Sequence, residues 1–133
     1  MLADRQRDSG GFRDLDVYQR GFGLVRPIYE LAVLMPALEK YDLASQMRRA
    51  AKAIPAEGYA LRMDAPKLFC KHLRIAYGSA VEMQVHLDLA DELGYGSSAA
   101  VIDLRGEYEV LGKMLYRLWQ HWRKRLPPGT EDT

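Results

Sequence analysis

Residues 101–122, "VIDLRGEYEVLGKMLYRLWQHW", carry the pattern that decides the fold. Val101, Leu104, Tyr108, Leu111, Leu115, Leu118 and Trp122 recur at alternating intervals of three and four. That spacing places them in one stripe along a helix, the arrangement of a helix packed lengthwise against other helices. Ser97 or Ser98 can cap its start, and the two prolines of "LPPGTEDT" stop it.

Three more helices are expected upstream. Leu15, Tyr18, Phe22, Val25, Tyr29 and Ala32 form a second three-and-four stripe, interrupted by Gly21, Gly23 and Pro27, which predicts a bent first helix. Asp42 is placed to cap a second helix whose interior is alanine-rich and contains Pro55. A proline there removes one donor and frees the carbonyl of Ala51, so it is read as a tolerated kink that curves the helix over its neighbours. Gly58 and "RMDAPK" mark the end of this helix. Asp64 followed by Ala65 and Pro66 then opens a third, over about 65–93, before "GYGSS" stops it.

This third helix is apolar on more than one side. Leu73, Ala76, Ala80, Met83 and Leu87 form one stripe, while Phe69, Tyr77, Val81, Val85 and Leu89 are expected on other faces. A single bundle core cannot cover all of these, so self-association is expected. The pattern predicts an all-α protein, an antiparallel up-down four-helix bundle over 14–126 between flexible tails at 1–13 and 127–133, assembling into a homo-oligomer.

The bulk composition agrees with one soluble domain. The chain has 133 residues, 48% of them hydrophobic and 28% charged, which is too apolar for a disordered chain and too short for two comfortable domains. Its single Cys70 cannot form an internal disulfide, no apolar run is long enough to span a bilayer, and the N-terminus lacks a signal-like segment. A reducing cytoplasm is the expected location.

A net charge of +1 conceals strong segregation. Residues 43–78 hold seven Lys and Arg against two acids, 79–109 hold one against seven, and 110–126 hold five against none.

The motifs "FRDL", "SQMRRAAKAIP", "AEGY" and "LRIAYGSAVE", in this order over roughly 12–122, resemble a bacterial family of small four-helix-bundle proteins. Their genes were first noticed in intervening sequences of large-subunit ribosomal RNA genes, and they were long labelled ribosomal proteins. The resemblance implies a helical bundle, assembly into a five-membered ring and no established catalytic activity. Distantly similar proteins include accessory proteins of diversity-generating retroelements, which bind nucleic acid beside a reverse transcriptase. A reverse transcriptase or a ribosome-associated factor is therefore a partner that the resemblance implies. The sequence departs from the family pattern where Ala56 leads directly into Glu57, without the usual Asn-Ile-Ala between. Those three residues turn a helix through about 300°, so their absence offsets its phase by about 60°.

The cations are the main functional candidates. Lys67, Lys71 and Arg74 recur on one face of the third helix, and the second helix contributes Arg48, Arg49 and Lys52. On the fourth helix Lys113, Arg117 and Lys124 share a face, continued by Arg123 and Arg125. Clustered cations on rigid helices bind phosphate backbones through release of condensed counterions, so Arg48, Lys52, Lys67, Lys71, Arg74, Lys113, Arg117 and Lys124 are the predicted nucleic-acid-binding residues. The bland reading is internal pairing, with Arg49 near Glu82 and Arg74 near Glu57. Tyr116 and Trp119 sit among the cations, where aromatic rings can stack on unpaired bases; Trp122 belongs to the core stripe.

Catalytic, cofactor and metal sites are not expected. Glu82 and His86 are four apart and alone, His72 and His121 lack ligand-like neighbours, and no phosphate-cradling glycine loop or nucleophile elbow occurs. The expected function is non-enzymatic binding of RNA or an RNA–DNA hybrid without base readout. The rival is a scaffold ring in which acidic and basic blocks pair between subunits.

Overall fold

The computed structural model describes residues 15–60 and 65–129, and these are helical throughout apart from turns. The elements are α1 (Asp16–Gly23), α2 (Val25–Val33), a 3-10 turn (Ala37–Glu39), α3 (Leu43–Ala60), α4 (Pro66–Glu92) and α5 (Ser98–Arg123). Among the described residues there is no strand. The whole of the expected N-terminal tail (1–13) lies outside them, as do residues 130–133 of the expected C-terminal tail and Asp64 of the expected start of the third helix.

The expected bent first helix is α1 followed by α2. Leu24 joins them in helical conformation, its N–H donating to the carbonyls of Arg20 and Gly21. Pro27 falls in the first turn of α2, where a missing donor costs least. Pro55 lies inside α3, which continues beyond it to Ala60. Asp42 precedes α3 but does not cap it as expected. Its carboxylate accepts from the Gln46 side-chain amide at 3.3 Å, and the Leu43 N–H is instead satisfied by Glu39 Oε1 at 3.4 Å.

The α4–α5 corner follows from its glycines. Gly94 has φ +74°, and the N–H groups of Gly94 and Tyr95 donate back to the carbonyls of Asp91 and Ala90, closing a Schellman cap. Gly96 has φ +72°, and a Cβ there would lie 2.6 Å from Leu31 Cδ1, so the turn is seated directly on α2. Ser97 then caps α5, its hydroxyl accepting from the Ala100 N–H at 3.1 Å. Tyr95 Oη donates to Glu39 Oε2 at 2.7 Å, tying this corner to the entry of α3.

The core lies where α4 packs against both α3 and α5, with α1 and α2 across α3 and α1 also reaching α5. Ile28, Met47, Ala51, Leu73, Ala80, Met83, Leu87, Tyr108 and Leu111 are completely buried there. Small side chains on α3 (Ala44, Ala50, Ala51) and α4 (Ala76, Ala80) set the close approach of the two helices. The α5 stripe is buried or half-buried as predicted. Phe69 corrects one expectation: it is fully buried in the core, stacked on Trp122. Tyr77, Val81, Val85 and Leu89 do remain on the outside of α4, from 36% to 54% exposed.

Candidate nucleic-acid interface

Three contacts set how α4 lies along α5. The rings of Phe69 and Trp122 stack with centroids 5.1 Å apart, those of Tyr77 and Tyr116 lie at 5.6 Å, and Arg105 Nε donates to Asp88 Oδ1 at 2.6 Å. The first half of α4 is therefore beside the second half of α5. Residues 66–78 and 110–129, which share that end, contain Lys67, Lys71, Arg74, Lys113, Arg117, Arg123, Lys124 and Arg125 and no Asp or Glu.

The opposite end of the pair is acidic and laced with ion pairs. Arg105 bridges Asp88 and Glu109 (2.6 and 3.6 Å), Arg20 reaches Glu107 at 3.3 Å, and Arg49 reaches Glu82 at 3.7 Å. The segregation visible along the sequence becomes an electrical polarity from end to end of α4–α5. Ion pairs this exposed contribute only about 0–1 kcal/mol each, so they order the acidic end more than they stabilise it.

Six of the eight predicted binding residues, Lys67, Lys71, Arg74, Lys113, Arg117 and Lys124, belong to the basic end, and all six are exposed. Arg48 and Lys52 do not join them. Arg48 Nη2 donates to the carbonyl of Lys40 at 3.0 Å, fastening α3 to the 3-10 turn. Lys52 stands on the rim of an apolar groove of about 990 Å³ between α3 and the α1–α2 break, beside Tyr18, Phe22 and Pro55. The pairs Glu57–His72 and Arg49–Glu82 set Lys52 level with about Gly78. At 1.5 Å per residue that is roughly 16 Å along α4 from Lys67 and about 10 Å from Lys71, and Lys52 stands on the side of α3 that faces the α1–α2 break. The expected clustering of Arg48 and Lys52 with Lys67 and Lys71 thus gives way to a cluster built across α4 and α5.

The predicted pairing of Arg49 with Glu82 is present. Glu57 is engaged by His72 Nδ1, two positions from Arg74. Arg74 itself lines a small apolar notch of about 120 Å³ with Tyr77, Tyr116 and Trp119. Trp119, which lies off the α5 stripe, is half-buried and packs against the core. The guanidinium of Arg123 lies 5.1 Å from its ring centroid, and that of Arg125 lies 6.0 Å from the Trp122 ring. On the other side of the Tyr77–Tyr116 pair is a larger groove of about 490 Å³, whose rim carries Lys113 and Arg117. Sequence spacing could not pair Tyr77 with Tyr116, because that contact depends on the interhelical register.

Other polar groups serve packing. Cys70 is fully buried. His86 Nε2 lies 3.0 Å from Glu82 Oε1. The hydrogen bond to Glu39, together with burial and the carboxylate's charge, pushes the pKa of Tyr95 up; burial pushes that of Tyr108 up. Among the described residues no three His, Cys, Asp or Glu side chains gather as a metal site would require, and no helix is long and apolar enough to cross a membrane.

The sequence profile of the family described as 23S rRNA-intervening sequence protein matches residues 13–117. No curated protein matches the chain.

Proposed function

Given that the chain belongs to the 23S rRNA-intervening sequence protein family, we propose that it is a non-enzymatic helical-bundle protein that binds nucleic acid through the basic end of its α4–α5 pair. One observation carries this reading: two helix segments distant in sequence bring eight cations to one end of the pair, where the bordering acids Glu57, Glu82 and Glu109 are engaged by His72, Arg49 and Arg105. Cations held on helices neutralise backbone phosphates and release condensed counterions, a force that is indifferent to base sequence. RNA or an RNA–DNA hybrid is the expected ligand class. The contacts Phe69–Trp122, Tyr77–Tyr116 and Asp88–Arg105 run in opposite order along the two helices, which supports the antiparallel up-down bundle.

A second reading is favoured by the uncovered side of α4. Val81, Val85 and Leu89 are exposed, and the basic and acidic ends are complementary between copies. Copies joined basic end to acidic end make a heterologous contact that closes into a ring when its rotation allows, with five members on the family resemblance. In that case the same charges set register and bind no ligand.

Charge reversal separates the two. With Lys113→Glu and Arg117→Glu together, the first reading expects RNA binding to be lost at unchanged oligomeric mass, while Arg48→Glu with Lys52→Glu keeps most of it. If the first pair of substitutions dissociates the assembly, or if the intact protein binds no RNA at low salt, the scaffold reading replaces the binding one.

A further inference from the structure

The aromatic cluster at the basic end has a geometry that backbone attraction alone does not require. Tyr77 and Tyr116 are tilted 49° to one another at 5.6 Å, and Tyr116 and Trp119 are tilted 41° at 5.6 Å. None of the three is stacked flat on the next. Tyr77 and Tyr116 are 36% and 42% exposed, a large apolar area to leave in water beside so many cations.

We propose that the notch between Tyr77, Tyr116 and Trp119 takes an unpaired nucleobase, so that the preferred ligand is single-stranded nucleic acid with its backbone passing over Lys113 and Arg117. This rests on the nucleic-acid reading above and gives it a substrate class. The notch is apolar, as a base face requires, with Arg74 at its wall. The adjoining groove shares Tyr77 and Tyr116 with it and carries the cations that the attached phosphates would meet. Gln84 and Gln120 line the same groove and offer amide donors and acceptors. Glu109, an acid on that rim, is engaged by Arg105 at 3.6 Å.

The charge around the rings decides against a cationic ligand. Aromatic cages that capture quaternary ammonium groups keep other cations away, whereas here Arg74 lines the notch and Arg123 lies over Trp119. A flat, uncharged ring tethered to an anionic backbone satisfies both the rings and the guanidinium groups. A duplex satisfies only the cations, because its base faces are stacked on each other.

The test compares a labelled single-stranded RNA with a duplex of the same length by fluorescence anisotropy. Tryptophan emission of the intact protein is followed during the same titrations. Single strands should quench the emission, and duplex should not. Tyr116→Ala should weaken single-strand binding roughly five- to a hundred-fold while duplex binding changes less than about twofold, since stacking is a per-base effect. Tyr116→Phe should restore single-strand affinity, because the ring and not the hydroxyl is used. Helicity by circular dichroism guards against a folding defect, and Trp119→Phe, which keeps a ring in place, should also retain affinity. If both ligands bind but Tyr116→Ala affects them equally or not at all, this inference falls and the backbone reading stands. If neither binds, both fall. If Tyr116→Ala instead lowers the mass in solution, the rings form a contact between copies and the proposal is overturned.

Discussion

Phe69, one turn into α4, stacks on Trp122, the next-to-last residue of α5, with 22° between the ring planes. The contact pins the start of one long helix to the finish of the next, directly behind the basic end. Phe69 is fully buried. Phe69→Ala is expected to cost about 3–5 kcal/mol through lost apolar transfer and the cavity left behind, measured by urea denaturation. A cost under about 1 kcal/mol would mean that the ring is not in the core.

Tyr108 offers the opposite case. It is completely buried on α5, and its hydroxyl finds no hydrogen-bond partner among the described residues. Tyr108→Phe is expected to be neutral or stabilising, because it removes a desolvated polar group that gains nothing in the fold. Burial holds this phenol protonated in the folded state beyond the pH at which it ionises in the unfolded chain, near 10. Above about pH 10 the unfolded state binds fewer protons than the folded one, so stability should fall as pH rises further. The raised pKa of Tyr95 acts in the same direction, through its bond to Glu39. Denaturation midpoints from neutral pH to about pH 11 should decline less steeply in Tyr108→Phe than in the unsubstituted protein.

Glycines in the helices should respond with opposite signs. A Cβ on Gly21 would lie 2.7 Å from Ile54 Cγ2, where α1 crosses α3 inside the core, whereas Gly78 and Gly106 face open space. Gly78→Ala and Gly106→Ala should each stabilise by about 0.5–1 kcal/mol through helix propensity and a less flexible unfolded chain. Gly21→Ala should destabilise despite the same propensity gain, because Ile54 is buried and has little room to move. Thermal melts of the three variants check the contrast.

The helices were legible because their signals are local. The α5 stripe, the Ser97 cap, the Pro66 start and the break near Gly23 each lie within a few residues of the chemistry that causes them. The entry of α3 was harder to read, since the group that satisfies Leu43 N–H is Glu39 from the preceding turn rather than the better-known capping residue Asp42. Phe69 was misplaced because helical phase alone put it off the Leu73 stripe, whereas the ring that covers it, Trp122, lies across an interhelical contact. The candidate interface shows the same limit. Its cations were visible one helix at a time, but which of them share an end depends on register, and register brought Arg74 to Tyr116 while leaving Lys52 beside a different groove.

The most direct test of the central claim is the affinity for a short RNA measured against salt concentration. Binding through the basic end of α4–α5 requires log affinity to fall linearly with log salt, by about 0.7 per single-strand phosphate neutralised and about 0.9 per duplex phosphate. Lys113→Glu with Arg117→Glu should flatten that slope. An affinity that does not change with salt, or a slope untouched by these two substitutions, would contradict the account.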